Sequence, residues 1–371
     1  MNIKWKNKTF ITYGLILLSM VLSILFVQNN FYLYDKPIAE VIETTVTDEE
    51  ETVDSLSNTD QVIDQTVIGE IKNGDHKGQR ILMENQYSES GAADHEYQMG
   101  DKIFVSIQND EGTHLTGNIE GAKRDTFIVV AAWLFIVTVL WVGKKSGLYS
   151  LISLVVNVLV LMLAMNYYTE GEDVNLFWIC SGLVLFFTVF SLLLVSGNNK
   201  KTHAAILATV AGTFSSLLIA YAVIKLTAGE GLRYEEMAFI TRNPQSVFLA
   251  SLLVGSLGAA MDIAITITSS LYELTEKNQA IALKDLKTSG REIGKDIMGT
   301  MSNVLFFAYV SGSIPMILLY LKNGMAVNYT LSMNLSLELT RALVGSIGIV
   351  LTIPISIYTA IYFIRKGRVI K

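Results

Sequence analysis

The chain has 371 residues, of which 51% are hydrophobic and 17% charged, against roughly 25% charged in a soluble domain. Its net charge of −6 divides unevenly: residues 28–125 carry 21 acidic and 7 basic side chains, net −14, while the remainder carries 13 and 21, net +8. The single cysteine, Cys180, excludes an intrachain disulfide framework, and nothing in this charge pattern suggests nucleic acid.

Residues 1–9 are a basic start with Lys4, Lys6 and Lys8, and 10–27 is the first apolar segment. Phe26, Val27, Gln28, Asn29 and Asn30 follow it in place of a small-x-small cleavage site, so it reads as an uncleaved transmembrane anchor and not as a signal peptide. Further apolar segments cover 126–142, 148–167, 176–195, 203–225, 247–270, 298–321 and 343–364. Apolar runs of this length read as helices, because lipid offers the backbone no hydrogen-bond partner. Alternate connections are basic: Lys144 and Lys145, Lys200 and Lys201, Lys277 to Lys295, and a tail at 365–371 with Arg365, Lys366, Arg368 and Lys371. The connections between them are acidic or mixed, as at Glu170, Glu172 and Asp173. The positive-inside rule then predicts about eight spans, both termini cytoplasmic, and residues 28–125 extracytoplasmic.

Within 28–125 two textures alternate. Residues 28–64 read as an acidic linker, because Glu43 and the run Asp48, Glu49, Glu50, Glu51 and Asp54 leave few large apolar residues. Cation capture is the alternative reading there. Residues 65–125 hold short alternating runs: Thr66-Val67-Ile68, Arg80-Ile81-Leu82-Met83 and Ile103-Phe104-Val105-Ser106-Ile107. Turn formers separate them at Asn73-Gly74-Asp75, Lys77-Gly78, Gly100-Asp101 and Asn109-Asp110-Glu111-Gly112. The expected fold is thus an α-helical polytopic membrane protein with a small extracytoplasmic β-barrel-like domain, of the OB or SH3-like kind.

Residues 126–364 form the expected seven-helix membrane domain. Its long connection, 272–297, alternates Ile281, Leu283, Leu286 and Ile293 with basic residues, as a helix on the inner membrane surface or a docking site would. In segment 247–270, helical spacing puts Ser251, Gly255, Ala259, Asp262, Thr266 and Ser269 on one stripe, with Leu252, Leu253, Ile263 and Ile267 opposite. Small residues at four-residue intervals, Ser251, Gly255 and Ala259, predict that this stripe faces protein, with Gly258 a further packing candidate. Asp262 is the one acid deep in any expected span, and an aspartate there costs roughly 2.5–3.5 kcal/mol on insertion scales. It is a candidate for proton or cation handling or, alternatively, a structural residue bonded to a neighbouring helix. Segment 298–321 offers Thr300, Asn303, Phe307 and Ser311 at helical spacing, then Pro315; the last segment carries Gly345, Ser346, Gly348 and Pro354. The prolines predict kinks.

Other features point to no chemistry. His76, His95 and His114 match no zinc spacing, His203 starts a span, and Cys180 has no activating neighbour. There is no P-loop, and an aspartyl intramembrane protease would need a second facing acid. No metal, cofactor or catalytic residue is expected.

Two long runs carry a resemblance. Gly255-Ser256-Leu257-Gly258-Ala259-Ala260-Met261-Asp262 leads to Ser269-Ser270-Leu271-Tyr272-Glu273-Leu274. Gly290-Arg291, Gly294, Asp296, Gly299-Thr300 and Ser302-Asn303 then run into Phe306-Phe307-Ala308-Tyr309 and Gly312-Ser313-Ile314-Pro315. In this order they resemble the YibE/F-like membrane proteins of bacteria, as does an anchor followed by an exported β domain with Gly74-Asp75-His76-Lys77-Gly78-Gln79. The resemblance implies a multi-pass protein and, because members with the outer domain often accompany a shorter relative lacking it, a hetero-oligomer in the bilayer. It supplies no substrate and no catalytic residues. The expected function is a transporter or permease-like component with a polar path at Asp262, Thr266, Ser269, Thr300 and Asn303. The alternative is a scaffold or envelope sensor using the β domain, and an intramembrane enzyme ranks third.

Overall fold

The computed structural model describes residues 3–55, 57–91, 94–109, 115–171, 174–237 and 241–369. His114, the 110–112 part of the last expected turn, Glu172, Asp173 and Lys371 lie outside the described residues, as do the side chains of Lys4, Lys6, Lys8 and Arg368. The chain divides into two compact units, Met1–Val142 and Gly143–Lys371.

In the first unit, α1 (Ile3–Gln28) and a 3-10 turn (Phe31–Leu33) precede five strands: β1 (Ile38–Val53), β2 (Thr59–Ile71), β3 (Arg80–Ser88), β4 (Lys102–Asn109) and β5 (Leu115–Ala122). The ladders run β1-β2-β3-β5-β4. The β3–β5 pair is parallel, and Ile38–Glu40 of β1 pairs with Lys102–Phe104 of β4. Alternation builds the core. Gln65, Val67, Gly69 and Ile71 of β2 point inward, with Ala39, Val41, Ile81, Met83, Ile103, Val105 and Leu115. The expected turn at Asn73-Gly74 is present: Gly74 and Gly78 have φ of 75° and 86°. The Asn73 side chain accepts the Ile38 N–H at 2.7 Å and donates to the Tyr34 and Lys36 carbonyls at 3.0 Å.

The stretch expected as a solvated linker is largely strand. Ile38, Ala39 and Val41 are buried, and β1 then continues, mostly exposed, to Val53 as the outer strand of a ribbon with β2, which β3 borders on its other side as far as Val62. The ribbon has no buried face, so its composition carries no alternation; the pairing Asp48↔Asp64 through Val53↔Thr59 is what makes it a strand.

Two lysines fasten the strands to α1. Lys123 is buried, with Nζ 2.7 Å from the Val27 carbonyl and 2.7 and 2.9 Å from the Asp125 carboxylate. Lys102 Nζ lies 2.6 Å from the Gln28 carbonyl. Both cations therefore sit at the negative end of the helix, on carbonyls that no further turn can satisfy. The Phe31 ring lies 4.9 Å from one and 5.8 Å from the other. The indole N–H of Trp133, on α2 (Asp125–Glu170), donates to the Ser23 hydroxyl at 2.6 Å.

The second unit contains α3 (Leu176–Ser196), α4 (Lys200–Leu226), a 3-10 turn (Tyr234–Glu236), α5 (Pro244–Lys277), α6 (Leu283–Lys322) and α7 (Val327–Val369). Asn175, Asn199 and Asn243 cap α3, α4 and α5 by accepting first-turn N–H groups, and Pro244 sits at the start of α5 where its missing N–H costs nothing. Among the described residues, six helices, α2 to α7, are long and apolar enough to cross a membrane. The count differs from the expected eight. Segments 126–142 and 148–167 share α2, which holds the non-helical Lys144 (φ 48°, ψ −123°), and of α1 (26 residues) the side chains are described only over Gly14–Gln28.

Small residues set the packing of α4, α5 and α7. Gly212 meets Thr352 so closely that a Cβ would overlap the hydroxyl, and Gly348 packs on Ser216 and Ser256. On α6, Gly290 and Gly294 admit Ile357 and Ile353 of α7. The expected loop 272–297 is therefore mostly helix: α5 extends to Lys277, α6 begins at Leu283, and Leu286 is fully buried while Lys284, Arg291 and Lys295 are exposed. Its amphipathicity serves α7, which fills the apolar side. Helices α6 and α7 run continuously through Pro315 and Pro354.

Candidate functional site

The expected site residues lie on α5 and α6. On α5 the bulky side is the buried one: Leu252, Leu253, Ile263 and Ile267 are at most 2% exposed. Asp262, Thr266 and Gly258 are exposed, Gly255 and Ser269 are half-buried, and Ala259 is buried. Within this chain the structure thus reverses the expected facing of the stripe. Ile263 and Ile267 pack with Leu286, Ile349, Ile353 and Ile357 of α6 and α7, and Leu252 and Leu253 pack with Leu183, Val184, Leu217 and Val344 of α3, α4 and α7, where dense packing gains most. Gly255 and Ala259 of the stripe meet other helices as expected: the α-carbon of Gly255 faces the Tyr309 hydroxyl of α6, and Ala259 is buried in the cluster that holds Ile349.

On α6, Thr300, Asn303, Phe307, Ser311, Gly312 and Pro315 are exposed. The Thr300 hydroxyl donates to the Ile297 carbonyl at 2.9 Å. Gly255 opposite Tyr309 and Leu271 opposite Gly290 make α5 and α6 antiparallel, and this register sets Asp262 level with the 300–303 segment. Gly258, Gly299 and Gly312 have open space where a Cβ would stand. Among the described residues, the Asp262 carboxylate has no hydrogen-bond or ion-pair partner. The structure therefore brings Asp262, Thr300 and Asn303 to one level on two adjacent helices, open to the outside of the chain.

The interior holds polarity of a different kind. The hydroxyls of Thr209, Thr213, Thr352 and Ser356 are buried without a hydrogen-bond partner among the described residues. Their signal in the sequence is a four-residue period, in Thr209-Gly212-Thr213-Ser216 and again in Gly348-Thr352-Ser356.

A third polar group was not expected. Glu338 and Arg341 of α7 form an ion pair, and the Arg341 guanidinium lies 5.4 Å from the Phe248 ring centre. Tyr234, on the α4–α5 connection, meets Phe248 edge-on at 5.9 Å. The Arg233 backbone N–H donates to the Ser336 hydroxyl at 3.0 Å. Glu236 Oε2 is buried without a hydrogen-bond partner among the described residues. Burial, and then the neighbouring Glu338, push the Glu236 carboxyl up to about 7, against the pull of Arg341. Starting the last span at 343 hid this pair, because α7 begins at Val327. The signal was the Glu338-x-x-Arg341 spacing itself.

Among the described residues no group of three or more His, Cys, Asp or Glu is arranged to hold a metal, and Cys180 is buried. A cleft of about 360 Å³ between α3, α4 and α5, lined by Phe177, Phe214, Leu217 and Leu249, is apolar and does not include Asp262.

Neither a curated protein nor a solved structure shows significant similarity to the chain. Two family models match it in sequence order: the YibE/F family N-terminal domain over residues 31–122, which holds the five strands, and the YibE/F-like protein over residues 131–366, which holds the helices bearing Asp262 and Asn303. The chain belongs to the YibE/F-like family.

Proposed function

We propose that this chain is a permease-like component of a membrane transport assembly, whose polar path lies where a partner chain covers the α5–α6 face. The observation that carries the proposal is the exposure of Asp262, Thr266, Thr300 and Asn303 on otherwise apolar helices. Hydrocarbon cannot satisfy these groups, and intramembrane acids face protein or a wet cavity. The open glycines beside them allow a further helix to come close. A hetero-oligomer with a shorter relative lacking the outer domain supplies such a cover. The reading invokes no catalysis, cofactor or metal. It places the chain in the bacterial cytoplasmic membrane with both termini inside and residues 28–125 outside. It counts eight crossings by including α1 and letting α2 cross twice about Lys144. The test is complementation of a null strain by Asp262→Asn at normal expression, with capture of tagged protein from mild detergent. Lost complementation with a stoichiometric membrane partner supports the proposal. Full complementation by the variant overturns it.

The fastening of the strands to α1 favours a second reading, a scaffold or envelope sensor. The ladder order, with its parallel β3–β5 pair, supports a small, partly open barrel of the OB kind, a fold used for binding. Lys102 and Lys123 would transmit its state to the helix end. Deleting 28–125 separates the readings: a sensor loses all function, whereas a transport core keeps part of it.

A further inference from the structure

We propose that Glu236, Glu338 and Arg341 form a proton-binding site that holds the α4–α5 connection on α7 while Glu236 is protonated. The argument is independent of whether the chain transports anything. Three features of the geometry support it. Glu236 Oε2 is buried and unpartnered among the described residues, so the carboxylate has no donor there to replace the water it loses. The cation that acts on it, Arg341, is already committed, paired with Glu338 and set over the Phe248 ring. A charged Glu236 would therefore sit beside a second carboxylate, the arrangement in which two acids share one proton. Among the described residues the hydrogen bonds from this connection to α7 are two exposed ones, from the Arg233 N–H to Ser336 and from Arg233 Nε to Ser332 at 3.5 Å, so a charge appearing on Glu236 acts directly on this contact.

The groups that face Glu236 can be named element by element. Helix α7 offers Glu338 and Arg341, and α5 offers the uncharged Phe248. Helix α6 offers Tyr309, within electrostatic reach of Glu338 and Arg341. On its own turn, Tyr234 is half-buried and Glu235 is exposed. The neutral acid is the form the docked state favours, with its carboxyl near 7 against 4.5 in water. Docking is then strongest below the ordinary glutamate range and weakens as pH rises through about 7.

The test is an infrared titration of the purified full-length protein between pH 5 and 9, reading the protonated-carboxyl stretch. The wild type is expected to lose a carboxyl band with a midpoint near 7, and Glu236→Gln is expected to lack that component. Glu338→Gln should lower the midpoint and Arg341→Gln raise it, each by roughly one pH unit. A group that merely packs would not respond in these opposite senses. Hydrogen exchange of the 232–237 amides, taken relative to Glu236→Gln at each pH, should rise several-fold from pH 6 to 8. Equal titration in wild type and Glu236→Gln, midpoints that ignore both neighbours, or an exchange ratio that stays flat would each overturn the proposal.

Discussion

Lys123 and Asp262 are both charges set among apolar groups, and the chain treats them in opposite ways. In the strand-bearing unit, Lys123 has a side chain 1% exposed and is bonded to a carbonyl and to both oxygens of Asp125. In the helical unit, Asp262 stands exposed with open glycines for neighbours. A buried charge survives only when its surroundings replace water. Lys123 is therefore complete within one chain, whereas Asp262 is complete only when something outside the chain covers it. Glu236 lies between the two, with a carboxylate oxygen buried but unpartnered.

The largest effect expected from breaking this comparison is at Lys123. Lys123→Met leaves the Val27 carbonyl without this donor and Asp125 with only the Tyr34 hydroxyl, at 2.7 Å, and should cost about 3–5 kcal/mol in the first unit. Thermal unfolding followed by tryptophan fluorescence reads it, since Trp133 is hydrogen-bonded within the same unit. A melting point unchanged from wild type would mean that the lysine is not needed to close the helix end.

Next in size is Gly212→Val. The added carbons would overlap the Thr352 hydroxyl at the α4–α7 contact, and overpacking of this kind costs about 1–3 kcal/mol. Detergent-solubilised protein should melt earlier, and Thr352→Ala in the same chain should recover part of the loss. Failure of that rescue would break the assigned contact.

The smallest stability effect is expected at Asp262. Asp262→Asn should change the melting point of the isolated chain by no more than about 0.5 kcal/mol equivalent, as at other exposed positions, while complementation is lost. A large stability loss would instead make Asp262 a structural residue like Lys123.

Much of this arrangement was legible in the residues alone. Apolar runs located the long helices, because lipid imposes a length rule that acts locally. The turn at Asn73-Gly74 and the alternating runs 66–68, 80–83 and 103–107 were readable for the same reason, since each follows from a short-range preference. The acidic ribbon of β1 was not readable, because its only reason to be a strand is a partner strand. Nor was the start of α7 or the cluster at Glu236, which exists only where an α4–α5 connection meets a helix about a hundred residues later.

The sequence by itself determined that the chain is apolar, helical and basic in its larger part, acidic and stranded in the smaller, and that Asp262 belongs to a span. Only the tertiary structure decided which side of α5 is the inside. Helical spacing divides a helix into faces, but the choice between them depends on which face fits the volumes offered by α4, α6 and α7. There the branched aliphatics pack and the small polar stripe does not.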